Sequence, residues 1–247
     1  MNNASIIIIG NEILSGRTLD QNANFIAKRC SDIGIVLDEI RIIPDIQEVI
    51  KKVIINASNS HKNVFVTGGI GPTHDDITAL SIAKAFNREL ILNKKAKILL
   101  ENYYKNSNLK LNDSRMKMAY IPARASLIMN SVSSAPGFKI KNVWVMAGVP
   151  KIMQSMFIES IEPKLKKGKK IFSKTIIVFK PEGDIAKILD KINREYVTLQ
   201  IGSYPFYKPP NIGTNVVFRS RNKKIIDLCI KKFIGLLNSK DIIFSVD

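Results

Sequence analysis

Asn63-Val64-Phe65-Val66-Thr67-Gly68-Gly69-Ile70-Gly71-Pro72-Thr73-His74-Asp75-Asp76 is the stretch from which the fold can be read. Val64 to Thr67 are β-branched or aromatic and predict a strand. The strand runs straight into three glycines within four positions, at 68, 69 and 71. Glycine lacks a Cβ, so the chain can turn sharply here and approach a ligand closely. Successive N–H groups can then converge on one anion. A helix is expected to open after Asp75-Asp76, with Ala79, Ile82, Ala83 and Phe86 on one face. Its unpaired N–H groups and positive dipole end would complete a phosphate cradle. Carboxylates beside a phosphate site recruit a hard cation such as Mg2+. A helix N-cap could account for one aspartate, but not for the pair together with the glycines. The segment is neither a P-loop nor a Rossmann fingerprint.

Working outward, Ser5-Ile6-Ile7-Ile8-Ile9 is continuously apolar, as a strand buried on both faces of a parallel sheet should be. After a turn with Gly10, Asn11 and Gly16, the residues Leu19, Ala23, Ile26, Cys30 and Ile33 recur at helical spacing, with Gly34 as C-terminal cap. A second strand spans 36–43. Pro44-Asp45 is then expected to start a helix, with Asp45 and Glu48 as a capping box. Residues 94–119 predict helical turns broken near Asn106–Asn108. Val143-Trp144-Val145-Met146 predicts a late strand, and Lys151–Glu159 a short helix. The β-α-β-α-β-α order predicts an α/β fold, a mostly parallel sheet with helices on both faces. Ligands of such sheets sit beyond the carboxyl ends of the strands, which directs attention to loops 10–20, 44–45, 67–76 and 147–150.

The run Lys164-Leu165-Lys166-Lys167-Gly168-Lys169-Lys170 marks a linker between a domain over 1–163 and a smaller one over 172–247. Lys174–Phe179 predicts a strand and Pro181-Glu182-Gly183-Asp184 a helix start. Two strands are expected near Val197–Ile201 and Asn215–Phe218, joined by a loop holding Tyr204-Pro205-Phe206. A helix through Ile226, Cys229, Ile230, Phe233 and Leu237 and a strand over Ile242–Val246 follow. This β-α-β-β-α-β order is that of a small α+β ferredoxin-like domain.

The 247 residues, 45% hydrophobic and 24% charged, suffice for a buried core. No apolar run approaches a membrane span, and residues 5–9 are too short and lack the basic leader of a secretory signal. Nothing in the chain points away from the cytoplasm. Two cysteines make no disulfide framework, and two histidines leave little room for a Ser-His-Asp triad. The net charge of +17 is spread through a Lys-, Ile- and Asn-rich composition. Its densest run has no interleaved aromatics, so it is read as composition rather than a nucleic-acid surface.

Glu12, Asp20 and Asp45 lie in neighbouring strand-end loops and could complete an acidic rim, although Asp20 and Asp45 could equally be caps. Gly10-Asn11-Glu12-Ile13-Leu14-Ser15-Gly16, Asp20, Asn22, Thr67 through Thr78, Ala135-Pro136-Gly137-Phe138 and Gly148-Val149-Pro150 occur in this order. In that order they resemble the molybdopterin-binding-like domain of the competence/damage-inducible protein A family, over roughly residues 5–160. The same domain type resembles the amino-terminal part of eukaryotic FAD synthase and, more distantly, the molybdopterin adenylyltransferases, in which an aspartate matching Asp76 lies at the active site.

The resemblance implies metal-dependent hydrolysis of the pyrophosphate bond of a dinucleotide such as ADP-ribose or FAD. It implies that Thr67, Gly68, Gly69, Gly71, Pro72, Thr73, Asp75 and Asp76 hold phosphate and a divalent metal (Mg2+, Mn2+ or Co2+). Catalysis would rest with Asp76 and Asp75, and Glu12 and Asp45 would join the metal rim. Asp20, Asn22, Ala135, Pro136, Gly137, Gly148 and Pro150 would shape the pocket. It also implies association into homo-oligomers. The sequence departs from the family pattern at Ala147, Ile152 and Ser133, where proline, glutamate and glycine are usual. No segment matches the amidase domain of the longer family members. Adenylyl transfer to a pterin, or non-catalytic binding of a pterin or nucleotide, would use the same cradle.

Overall fold

The apolar run near the N-terminus becomes β1 (Asn3–Ile9) because both its faces are covered. In the computed structural model, which describes residues 2–246, Ile7 and Ile9 enter one core layer and Ala4, Ile6 and Ile8 the other. Alternate residues of a strand point to opposite faces, so a continuous apolar run feeds two layers. A short helix α1 (Asn11–Leu14) precedes α2 (Asn22–Asp32), β2 (Val36–Ile43), α3 (Gln47–Ser60) and β3 (Asn63–Thr67). Then come α4 (Thr78–Ala85), β4 (Leu90–Leu92), α5 (Lys94–Lys105), α6 (Asp113–Met116), β5 (Tyr120–Pro122), β6 (Ser126–Ile128), β7 (Gly137–Ile140) and β8 (Val143–Met146). Helix α7 (Pro150–Ser155) continues into a π-helical stretch, Met156–Ile161.

The central sheet runs β2-β1-β3-β8-β7-β6. Its first four strands are parallel, and β7 and β6 complete it in antiparallel sense. Residues of α3, α4 and α5 pack in one layer with Val64, Val66, Val143 and Val145, while α2, α7 and the π-helical stretch pack in the other with Phe65 and Trp144. The α/β architecture read from the sequence is therefore the one observed. The chain leaves β1 toward β2 on one side and crosses to β3 on the other. That reversal opens a crevice between the carboxyl ends of β1 and β3, where ligands of such sheets bind.

Several local expectations need correction. Helix α2 starts at Asn22, and Leu19 is 86% exposed rather than on its apolar stripe. Helix α3 starts at Gln47 with Ile46 as its N-cap and no side-chain cap, so the Asp45–Glu48 capping box does not form. Helix α4 does open after Asp75-Asp76 as expected, at Thr78. Strands β4 to β7 had no forecast, since each is only three or four residues long.

The chain divides into two units, Met1–Gly168 and Lys169–Asp247. The second comprises β9 (Phe172–Val178), α8 (Glu182–Glu195), β10 (Gln200–Lys208), β11 (Asn211–Ser220), α9 (Lys223–Asn238) and β12 (Phe244–Val246). Its sheet order β10-β11-β9-β12, antiparallel throughout, is the ferredoxin-like arrangement. The β10–β11 hairpin is longer than the sequence suggested. Tyr204-Pro205-Phe206 lies inside β10, paired with Asn215, Thr214 and Gly213, and is not a loop. The apolar stripes of α8 and α9 cover one face, burying Ile185, Ile188, Ile192, Ile226, Cys229 and Phe233. Cys30 and Cys229 are both fully buried among apolar side chains. Among the described residues no helix is long and apolar enough to cross a membrane.

Candidate functional site

The glycines after β3 differ in what they do. Gly68 has φ 101°, and a Cβ on it would lie 2.1 Å from the Ile9 carbonyl oxygen. Its amide donates to the Met146 carbonyl at 3.2 Å. Gly68 therefore lets three strand ends come together, and its N–H is already used. Gly69, at φ 66°, would place a Cβ 2.1 Å from Thr78 Oγ1, and its carbonyl accepts from the Thr78 amide at 3.0 Å. The loop thus closes over the start of α4, so the helix terminus contributes less to an anion site than the sequence suggested. The amides of Gly69, Ile70 and Gly71 donate to no protein oxygen among the described residues. These three form the open part of the cradle.

Four carboxylates surround the same cavity, which has a volume of about 560 Å³. Glu12 comes from α1, Asp45 from the β2–α3 turn, and Asp75 and Asp76 from the loop after β3. Asp45 Oδ2 accepts from the Asn11 amide at 3.0 Å, which ties the first two strand-end loops together. Asp76 Oδ2 accepts from the Thr73 amide at 2.8 Å and from the Thr73 hydroxyl. A Cβ at Gly71 would sit 2.7 Å from that same oxygen, so glycine there lets the Asp76 carboxylate fold against the loop.

Burial pushes the Asp45 carboxyl above its ordinary value, and the charges of Glu12, Asp75 and Asp76 push it further, against the opposing Asn11 amide. A carboxyl raised in the folded state stabilises the fold most when protonated. That contribution is complete below the ordinary 3.8 and is lost as pH rises through the raised value. Asp45→Asn keeps an oxygen for the Asn11 amide and removes the charge. In thermal unfolding it should exceed the wild-type Tm at pH 7, with the difference closing toward pH 3. A lower Tm at pH 7 would mean that the four carboxylates do not repel one another in the fold.

The rest of the lining is largely apolar and aromatic. Tyr103, Tyr104, Leu109, Met118, Ile152 and Met156 belong to it. The Tyr103 and Tyr104 rings meet edge to face at 5.2 Å, and the Arg115 guanidinium stacks on Tyr104 at 5.1 Å. Sequence reasoning missed these residues because 94–119 showed only helical turns, with nothing to say which side chains meet a cavity. The π-helical stretch brings Met156 in, and its sulfur accepts from the Ala147 amide at 3.5 Å. Such stretches are frequent at functional sites. Ser133, Ala147 and Ile152, the three departures from the family pattern, all line this cavity. The loop carrying Ser133 and Ala135 is organised by Asn130, whose Oδ1 accepts from the Val132 and Ser133 amides and whose Nδ2 donates to the Ala135 carbonyl.

Of the residues expected at the site, Gly68, Gly69, Gly71, Pro72, Ala135, Pro136 and Gly148 line this cavity with the four carboxylates. The others stand elsewhere. Asp20 Oδ1 accepts from the Ala23 amide at 2.8 Å, capping α2. Asn22 is buried and donates to the Gly148 carbonyl at 2.7 Å, pinning the loop after β8, while its Oδ1 has no partner. Thr67 is 1% exposed, with its hydroxyl also unpartnered. Gly137 belongs to β7, where a Cβ would lie 2.3 Å from the Val145 carbonyl oxygen. Pro150 is the first residue of α7. Thr73 and His74 line a second cavity, of about 570 Å³, contiguous with the first.

All four acids offer hard oxygen donors, and their mutual repulsion at Asp45 is what a divalent cation would relieve. The donor set therefore fits such a cation. Among the described residues no three His, Cys, Asp or Glu side chains already stand close enough to hold an ion, so binding would have to draw them together.

Comparison with known proteins identifies the family of each unit. Residues 5–167 match the family model described as "Probable molybdopterin binding domain", and residues 170–246 match "FAD synthase, middle domain". A protein of Archaeoglobus fulgidus is 37% identical over 238 residues, covering 95% of this chain and 98% of the relative. A protein of Pyrococcus abyssi is 32% identical over 253 residues, covering 98% of each chain. The crystal structure of the protein CinA from Thermoplasma acidophilum is similar at 34% identity and a TM-score of 0.59, covering 64% of this chain and 94% of that one. The chain belongs to the molybdopterin-binding-domain family, of the CinA-like kind.

Proposed function

We propose that the first unit hydrolyses the pyrophosphate bond of a dinucleotide such as ADP-ribose or FAD, with the help of a divalent cation. The observation that carries this reading is the convergence, on one cavity, of three uncommitted amides, four carboxylates and a pair of tyrosine rings. The amides of Gly69, Ile70 and Gly71 would donate to phosphate oxygens, and the wall of Tyr103 and Met118 would pack against a planar base. Glu12, Asp45, Asp75 and Asp76 would hold the cation, which supplies Lewis acidity toward a phosphoryl oxygen. The match of residues 170–246 to the FAD synthase middle domain is in keeping with a nucleotide ligand.

Incubation with ADP-ribose or FAD and Mg2+, Mn2+ or Co2+ should release two monophosphates, AMP and ribose 5-phosphate in the first case, detected by chromatography. Absence of cleavage with every cation would end the hydrolase reading. The separation of the carboxylates favours a second reading, non-catalytic binding of a nucleotide or pterin in the same cavity. It predicts saturable binding without products.

A further inference from the structure

A second cavity adjoins the first and has no ligand assigned to it above. It is contiguous with the first, and the two share Ile70, Gly71, Asp76, Met118 and Pro136 in their linings. The cradle loop thus lines both, about 560 Å³ in the first and about 570 Å³ in the second. The two cavities differ in chemistry. The first presents four carboxylates beside tyrosine rings and aliphatic side chains. The second has an apolar floor, with the buried Ile121 and Phe138 in it, and an exposed rim of Leu80, His74, Asp113, Lys117 and Tyr120.

Asp113 and Lys117 are uncommitted. Asn112, not Asp113, caps α6 by accepting from the Arg115 amide. Among the described residues neither Asp113 nor Lys117 enters an ion pair. A carboxylate accepts from both hydroxyls of a vicinal diol, and an ammonium pairs with a phosphate or donates to a sugar oxygen. Both residues stand four positions apart at the mouth of a cavity whose inner wall is the phosphate loop.

We infer that the second cavity is the binding site for the sugar-bearing arm of a two-armed pyrophosphate. Asp113 and Lys117 recognise that arm, while the base-bearing arm lies against the tyrosine wall and the pyrophosphate crosses at Gly71. The inference rests on the nucleotide reading of the first cavity, and it makes the protein select dinucleotides over mononucleotides.

The probes are the α,β-methylene analogue of ADP-ribose, which resists cleavage, and AMP, which carries the base-bearing arm alone. Each is titrated by calorimetry with Mg2+ present against wild type, Asp113→Ala, Lys117→Ala and Leu80→Trp. All three positions are exposed, so the fold should tolerate the changes, and the tryptophan is meant to fill the second cavity. Asp113→Ala and Lys117→Ala should each bind the analogue about tenfold more weakly, as loss of a charge-assisted hydrogen bond implies, and Leu80→Trp should weaken binding by about tenfold or more, because the indole clashes with the arm. AMP affinity should stay within twofold. If the variants bind the analogue as wild type does, or lose AMP equally, the second cavity is not an arm site although the first still binds nucleotide. If wild type binds neither probe, the nucleotide reading fails and takes this inference with it.

Discussion

Asp76→Asn should lower kcat for dinucleotide cleavage by about 10²–10³-fold, the usual cost of removing one electrostatic contact to a developing transition state. Affinity for an uncleavable dinucleotide analogue at saturating Mn2+ should change far less. The substitution is isosteric, and an amide oxygen can still accept from the Thr73 amide now 2.8 Å from Asp76 Oδ2. The loop therefore keeps its shape, and what disappears is one of four negative charges facing the cavity. A combined reading of kcat, analogue binding and circular dichroism separates the possibilities. A fall in kcat with the fold and affinity intact supports an electrostatic role. Unchanged kcat would place the cation elsewhere. Loss of affinity with loss of fold would make Asp76 a loop brace for Thr73 and nothing more.

How much of this was legible beforehand follows the physical range of each interaction. The parallel strands announced themselves because both faces of the sheet are covered, which requires unbroken apolar runs such as Ser5–Ile9. The second unit was legible in its order of elements, yet its hairpin was not. Pro205 and Gly202 resemble loop residues until the register sets Pro205 opposite Thr214 and Gly202 opposite Val217. The phosphate loop was recognised from its glycines, but the division of labour among them is tertiary. Gly68 is required by the Ile9 carbonyl, 59 positions earlier, whereas Gly69 and Gly71 leave amides free. Asp45 satisfied a local capping pattern with Glu48 and instead accepts from Asn11, a long-range partner that no local pattern could supply. Tyr103, Tyr104 and the Asn130 turn were invisible for the same reason: their role depends on where α5 and β6 pack, not on their own neighbours.

Gly68→Ala should be the most damaging small substitution in the first unit. Two costs add. A φ of 101° lies outside the regions open to alanine, which costs about 1–3 kcal/mol. The new methyl would meet the Ile9 carbonyl oxygen at 2.1 Å. That oxygen belongs to the main chain of a central strand, so it cannot swing aside as a side chain would, and overpacking adds roughly 1–3 kcal/mol more. The sum, about 4 kcal/mol, corresponds to a fall in Tm of roughly 10 °C for a unit of this size. Trp144, the single tryptophan, is 3% exposed in the first unit's core, so its fluorescence follows that unit alone. Gly235→Ala provides the opposite control. A Cβ there meets nothing within 4 Å in the last turn of α9, and alanine should stabilise that helix by about 0.5 kcal/mol. Its effect should appear in far-ultraviolet circular dichroism and not in the tryptophan transition. A Gly68→Ala protein that melted within about 2 °C of wild type, an offset under 1 kcal/mol, would mean that the ends of β1 and β3 can part without cost. The crevice between them would then be too loosely built to fix the three free amides on one phosphate.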